Sequence, residues 1–383
     1  VILSIIIVNY NVKYFLEQCL CSVEKAISTN DYLINNTEIF VVDNHSTDGS
    51  IEYLQYKFQG IQFFINKENI GFAKANNQAL SRATGKYILF LNPDTIIAED
   101  SLATCIAFME AHQNTGAAGV RMVDGNGSFL KESKRGFPFP WTAFCKLSGL
   151  TAIFPHSKLF ASYYLGHLKQ HENNPVDVLS GAFMMIRKEV LDKTSGFDEQ
   201  FFMYAEDIDL SYRIQQAGYI NYYIADTTII HFKGESTRKN LHYVKLFYKA
   251  MDQFMQKHFD TSSIFLFFMK MGVWFRSKIT SIAYLFHAQE KNKKDYRTFL
   301  EGDKKNIEKL KPLLPSFARV IVQNSQESNE IIFCEGASLS FKEIIQIIQQ
   351  KRRTVSVKIH SGNSYSIVGS DSKNKNGEAI AIH

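Results

Sequence analysis

The first 125 residues alternate short β-branched apolar runs with amphipathic segments, and this alternation confines the chain to βαβ units built around a mostly parallel sheet. Strands are expected at Leu3–Val8, Glu38–Asp43, Gln62–Ile65, Tyr87–Leu91 and Gly116–Val123, and helices at Val12–Ser28, Ser50–Lys57, Gly71–Ala83 and Glu99–His112. Leu3–Val8 is apolar except at Ser4, as a parallel strand covered on both faces requires.

The rhythm lapses from residue 124 to about 176. A basic, aromatic, proline-punctuated loop, Lys131–Trp141, lies in this stretch. It returns with the apolar stretch Val176–Ile186, then Lys188–Thr194, a helix from about Asp207 to Gln216, and Tyr219–Ala225. Leu241–Phe259 places Met251, Phe254 and Met255 on one helical face. Ile264–Phe286 is more apolar but is interrupted by Lys270, Arg276 and Lys278, which suits an interfacial helix, or one packed on the surface, better than a membrane span. A charged linker, Gln289–Lys311, precedes a small second α/β unit with strands at Ala318–Val322, Glu330–Cys334 and Val355–His360 and a helix at Phe341–Lys351. The expected division is therefore 1–260, 261–311 and 312–383.

With 383 residues, 45% of them hydrophobic, the chain can bury one large core and a smaller one. A formal charge of +5 suits phosphates or an anionic membrane surface, and no nucleic-acid motif accompanies it. The five cysteines are scattered without metal-type or CxxC spacing, which argues for a reducing compartment. The sequence opens at Val1 directly on an apolar strand, without a basic n-region or a small-residue cleavage site, so no secretory signal is expected. The expectation is a cytoplasmic protein with peripheral contact at the inner face of the cytoplasmic membrane.

Chemistry concentrates where strands end. Asn92-Pro93-Asp94 closes Tyr87–Leu91, at the carboxyl end that faces the ligand crevice of an open α/β sheet. It makes a good turn, and Asp94 can equally hold Mg²⁺ or Mn²⁺ on a diphosphate. Asp43, after the second strand, can accept hydrogen bonds from a ribose or base, or take part in the turn that Asp48 and Ser50 complete as helix caps. Gly71 sits where a helix begins, and Lys74, Asn76 and Asn77 follow it, a loop-to-helix entry able to face a phosphate or base. Glu206, Asp207 and Asp209 complement a helix N-terminus, and one of the two adjacent acids can also take the proton of an attacking hydroxyl. His231, after Thr228–Ile230, is either structural or a further cation ligand.

Together with Ser4–Asn11, Val42–Ser50, Asn69–Ala73, Leu179-Ser180-Gly181-Ala182, Gly196-Phe197-Asp198-Glu199 and His231–Ser236, these segments resemble, in order, family 2 glycosyltransferases of the GT-A fold, and in particular the rhamnosyltransferase-like branch that builds lipid-linked polysaccharides. The resemblance covers residues 1 to about 260. It implies a Rossmann-like, mostly parallel mixed sheet flanked by helices and an inverting displacement on a nucleoside-diphosphate sugar. The acceptor would be a hydroxyl of a glycan or polyprenyl-diphosphate-linked oligosaccharide in cell-surface polysaccharide synthesis. It implies Asp207 as base with Glu206 beside it, and Asp94 with His231 at the Mg²⁺ or Mn²⁺ site. Asn9, Asp43, Asn44, Gly71, Lys74, Asn76 and Asn92 are expected on the donor side, and Arg135, Trp141 and Gly181 on the acceptor side. One departure stands out: the first acid of the family's DxD-like motif is Asn92 here.

A nucleotidyltransferase would show a Gly-rich loop after the first strand, where this chain has Asn9-Tyr10-Asn11-Val12-Lys13. A non-catalytic nucleotide-sugar or glycan-binding module would not need the Glu206-Asp207 pair.

Overall fold

The computed structural model describes residues 1–232, 241–259, 296–314, 319–350, 355–370 and 377–382, with residues 263, 267, 268 and 271 besides. Nine strands form the first sheet: β1 (Leu3–Asn9), β2 (Thr37–Asp43), β3 (Gln62–Ile65), β4 (Tyr87–Leu91), β5 (Thr95–Ile96), β6 (Thr115–Val123), β7 (Asn174–Val176), β8 (Phe183–Arg187) and β9 (Ile220–His231). Their order is β3-β2-β1-β4-β8-β6-β9-β5, with β7 paired to β9. Strands β3, β2, β1 and β4 are parallel, whereas β8 runs antiparallel between β4 and β6. This is an α/β architecture with a mostly parallel mixed sheet flanked by helices.

The helices follow from burial on one or both faces. Between β1 and β2, α1 (Lys13–Ser28) buries Leu16, Cys19, Leu20, Val23 and Ala26 against the sheet. It also buries Glu17, Gln18 and Ser22. Polar groups this deep need partners, and for Glu17 and Gln18 a second layer supplies several of them. Helices α2 (Ser50–Lys57), α3 (Phe72–Leu80) and α4 (Ser101–Ala111) complete the crossovers. The irregular stretch holds α5 (Pro140–Ser148), whose first-turn proline costs no hydrogen bond, and α6 (Leu150–Ile153). Helices α7 (Lys188–Thr194), α8 (Glu206–Gln216) and α9 (Leu241–Phe259) follow.

The apolar stretch Val176–Ile186 is not one strand. It breaks between β7 and β8, and residues 177–182 form a loop over the crevice. The two short runs Tyr219–Ala225 and Thr228–Ile230 are a single strand, β9, whose register against β6 slips between Val120 and Arg121.

A second, six-stranded sheet comprises β10 (Tyr296–Gly302), β11 (Arg319–Ile321), β12 (Glu330–Cys334), β13 (Ser356–His360), β14 (Ser366–Gly369) and β15 (Glu378–Ala381), ordered β11-β10-β12-β13-β14-β15. The expected linker Gln289–Lys311 therefore needs correction, because its second half supplies the interior strand β10 and the helix α10 (Lys304–Leu310). Flanking lysines hid a strand whose Thr298 is fully buried against Glu330. On the opposite face, α11 (Phe341–Gln350) packs Ile344, Ile345 and Ile348 into one core with Val12, Phe15, Ile96, Val123 and Phe232 of the first unit. Gln18 Nε2 donates to Ser364 Oγ at 2.7 Å and to the Ser366 carbonyl at 2.8 Å. Glu99 accepts the Phe341 and Lys342 amides at 2.8 Å each, so a residue of the first unit caps α11 of the second.

The expected interfacial helix Ile264–Phe286 lies mostly outside the described residues. Among the described residues no helix is long and apolar enough to cross a membrane.

Candidate active site

The crossovers from β1 run to β2 on one side, while β4 flanks β1 on the other, so the crevice at the carboxyl ends of β1 and β4 is a topological switch point. A cavity of about 230 Å³ opens there, with Val8 and Tyr10 from the end of β1, Asn92 and Pro93 from the end of β4, and Glu206 and Asp207 from α8 on its walls.

After Asn92-Pro93-Asp94 the chain turns into β5, which pairs antiparallel with β9 so that Thr95 opposes His231. This pairing brings residues far apart in sequence together: His231 Nε2 lies 3.3 Å from Asp94 Oδ1 and 3.5 Å from Asn92 Nδ2. Two donors at that spacing match adjacent ligands of a cation with bonds of about 2.1 Å. Among the described residues no group of three or more His, Cys, Asp or Glu side chains is placed to hold a metal. Asp94 and His231 thus fit a cation that takes its remaining ligands from substrate phosphates and water, as Mg²⁺ commonly does.

Across the cavity, Tyr204 and Ala205 precede α8 with φ of 69° and 64°. Two successive non-glycine residues in the left-handed region are costly and turn the chain abruptly, so that α8 begins with its acids at the cavity wall. Gly181 N donates to Asp207 Oδ2 at 3.2 Å, and Arg135 Nη2 bonds the same oxygen. No described protein group donates to Oδ1. One oxygen of Asp207 is clamped and the other is left for a ligand.

Glu206 is buried, and its Oε2 has no hydrogen-bond partner among the described residues. Burial, then the charge of Asp207, pushes its carboxyl up to about 8, so near neutral pH it holds a proton beside the ionisable Asp207. Asp209, fully buried, serves the fold instead, because its pairing with Arg213, Lys257 and His258 ties α8 to α9.

The donor-side residues divide. Asn9 is fully buried and donates to Asp43 Oδ1 at 2.8 Å and Ser50 Oγ at 3.0 Å, while Asp43 Oδ2 accepts the Ser46 amide. Both brace the loops after β1 and β2. Asn44 lines the cavity and holds the next loop by donating to Asn69 and to the Gly71 carbonyl and accepting from the Ile70 amide. Gly71 has φ of 87°, and a Cβ there would lie 2.7 Å from the Phe202 ring and 2.8 Å from its carbonyl oxygen. Only glycine allows this approach. Two more of the expected donor-side residues lie outside the cavity lining. Asn76 is buried and donates to the Phe72 carbonyl one turn back, and Lys74 is exposed outside the cavity lining.

On the acceptor side, Gly181 lines the cavity. Arg135 does not: its guanidinium is spent on Asp207 and the Leu179 carbonyl, which makes it a positioning residue. Trp141 also lies elsewhere, with Nε1 bonded to the Leu159 carbonyl and its ring against Phe144 and Phe160. Sequence reasoning missed Tyr10, Phe72, Ser180, Met203 and Tyr204 as cavity residues. The segments Ser4–Asn11, Asn69–Ala73 and Leu179–Ala182 contain Tyr10, Phe72 and Ser180, and the aromatic stretch Phe201–Tyr204 before the acids contains the other two.

The family model described as "Glycosyl transferase family 2" matches residues 4–195. The chain is 24% identical over 254 residues, 62% of its length and 78% of the relative's, to an N-acetylglucosaminyl-diphospho-decaprenol L-rhamnosyltransferase of Mycobacterium tuberculosis. It is 30% identical over 192 residues, 48% of its length and 66% of the relative's, to the rhamnosyltransferase WbbL of Escherichia coli. Among solved structures, the mannosyltransferase PcManGT from Pyrobaculum calidifontis in complex with GDP-Man and Mn²⁺ aligns at 18% identity and a TM-score of 0.47, covering 75% of this chain and 76% of that one.

Proposed function

The chain belongs to glycosyl transferase family 2, and from that premise we propose that it moves a sugar, rhamnose being the first candidate, from a nucleoside-diphosphate donor to a hydroxyl of a glycan or lipid-linked oligosaccharide, with inversion. Its role is sugar transfer in cell-surface polysaccharide synthesis.

The observation that carries this reading is the open Oδ1 of Asp207 on the α8 wall of a cavity whose β4 wall leads to the Asp94–His231 pair. The acceptor hydroxyl gives its proton to Oδ1 as its oxygen bonds to the anomeric carbon, and the carbon–oxygen bond to the nucleoside diphosphate breaks on the opposite face. Arg135 and Gly181 keep the carboxylate from rotating away. Glu206, holding its proton near neutral pH, adds no second negative charge beside the base. Asp94 and His231 would hold a Mg²⁺ or Mn²⁺ ion, which when bound would supply positive charge to offset that of the leaving diphosphate.

The test is a screen of nucleotide sugars for binding, hydrolysis and transfer with Mn²⁺, Mg²⁺ or chelator, run on the native chain and on Asp207→Asn. The variant is expected to bind donor normally and to lose transfer by about 10²- to 10⁴-fold. Transfer at the native rate would remove Asp207 as base, and binding of no nucleotide sugar would favour a glycan-binding module.

A further inference from the structure

The segment that carries Arg135 to Asp207 also carries Lys134, and the two side chains reach different places. Arg135 pairs with Val178 in an isolated antiparallel bridge. Its neighbour Lys134 sends its ammonium the other way, donating to the Leu165 carbonyl at 2.7 Å and the Tyr164 carbonyl at 3.3 Å.

Beyond it lies a separate cavity of about 580 Å³, lined by Lys131, Lys134, His156, His167, Lys169 and His171 among others, with no carboxylate in its wall. That volume is in the range of small-molecule sites. Lys134 is only 3% exposed. Burial, and then Lys131, pushes it down to about 8. Burial, then Lys158 and Lys134, also lowers His167, whose Nδ1 is buried without a hydrogen-bond partner among the described residues. On the rim, Lys169 pairs with the exposed Glu172, and His156 Nδ1 meets the Gly166 carbonyl. Three lysines and three histidines therefore line the wall with no carboxylate among them, and a multivalent anion would relieve the repulsion between Lys131 and Lys134.

An apolar surface adjoins the anion-seeking wall. Ile153, Phe154 and Leu159 are 64%, 47% and 57% exposed, and they flank Pro155 and His156 of the cavity in sequence. Large side chains exposed together mark a binding surface. A cationic pocket beside an apolar patch matches an amphiphile with an anionic head.

We propose that this pocket seats the diphosphate of a lipid-linked acceptor, with the lipid along Ile153, Phe154 and Leu159. The proposal rests on the glycosyl-transfer reading only in calling the ligand an acceptor, and the binding is measurable without transfer.

The experiment titrates the full chain with farnesyl diphosphate, inorganic pyrophosphate, farnesol and phosphatidylglycerol vesicles. It is repeated on Lys131→Glu/His171→Glu, two exposed positions, with the exposed Lys305→Glu on α10 as control. Farnesyl diphosphate is expected to bind at least about tenfold more tightly than pyrophosphate or farnesol, and the double variant to weaken it about tenfold while the control does not. Pyrophosphate binding as tightly as farnesyl diphosphate, vesicle binding that excess farnesyl diphosphate does not displace, or unchanged affinity in the double variant each overturns the proposal. Variant-sensitive farnesyl diphosphate binding by a protein that transfers no sugar upholds the pocket and overturns the glycosyl-transfer reading. Transfer to a lipid-diphosphate acceptor with an unchanged acceptor KM in the double variant does the reverse.

Discussion

Arg135 Nη2 bonds both Asp207 Oδ2 and the carbonyl oxygen of Leu179, joining the irregular segment, the loop before β8 and the start of α8 at one nitrogen. Asp207 and the loop of residues 177–182 are thereby held as a unit.

Arg135→Met should therefore act on turnover and stability together. Leaving Asp207 without its partner in a largely buried setting is expected to cost about 3 kcal/mol in urea unfolding. It should lower kcat at least about tenfold while the donor KM stays near its native value, because the proposed donor site is on the other wall. Arg135→Lys restores the charge without the guanidinium fork and should recover only part of either loss. An unchanged kcat in Arg135→Met would show that Asp207 is oriented without it.

Glu206 should make stability fall with rising pH. Its folded-state value, about 8, lies above its ordinary 4.5, so between these values the folded chain holds a proton that the unfolded chain has released. The contribution is fully present below about 4.5 and lost as pH passes through about 8. Glu206→Gln removes this dependence. Relative to the native chain its Tm should rise by about 5 °C at pH 8 and hardly change at pH 4, read by calorimetry at both values. Parallel Tm–pH curves for the two proteins would contradict it.

The Asp94–His231 pair should bind Mn²⁺ weakly alone and more tightly with a nucleoside diphosphate present, because two protein donors leave most of the coordination to phosphate and water. His231→Ala is expected to weaken Mn²⁺ about tenfold in a paramagnetic titration with the diphosphate, about 1.4 kcal/mol. Asp94→Asn should abolish stimulation of transfer by the ion. Native Mn²⁺ affinity in His231→Ala would place the cation elsewhere.

Glu99 should be worth more than a surface carboxylate. It accepts the first two amides of α11 from the neighbouring unit, so Glu99→Ala leaves those two amides without their acceptor while the Ser340–Glu343 capping pair stays in place. The expected loss is about 1–2 kcal/mol in thermal unfolding, with faster amide exchange at Phe341 and Lys342. Unchanged exchange there would mean that the apolar contacts of Ile344 and Ile348 hold α11 unaided.

Much of the architecture was legible because it is periodic. Tyr87–Leu91 and Gln62–Ile65 emerge with the bounds that their apolar runs suggest, and Asn92–Asp94 and Glu206–Asp207 stand at the strand end and helix start where the pattern stops. Strand β10 was not legible, since Tyr296–Gly302 carries Arg297 and Glu301 and reads as linker until β11 and β12 are placed on either side of it. Asn76 was misread because an amide in the second turn of a helix serves a ligand or its own backbone equally well by sequence.

Local order, then, came from the sequence by itself: an α/β sheet, its strand ends, and the acids that occupy them, because periods of two and 3.6 record which face of each element is buried. Tertiary structure alone decided that His231 meets Asp94, that Arg135 holds Asp207, and that Lys134 beside it turns to a separate cationic pocket. These pairings span irregular loops and distant strands. There a side chain's direction is set by long-range packing and by the need to satisfy buried charge, and neither leaves a repeat in the chain.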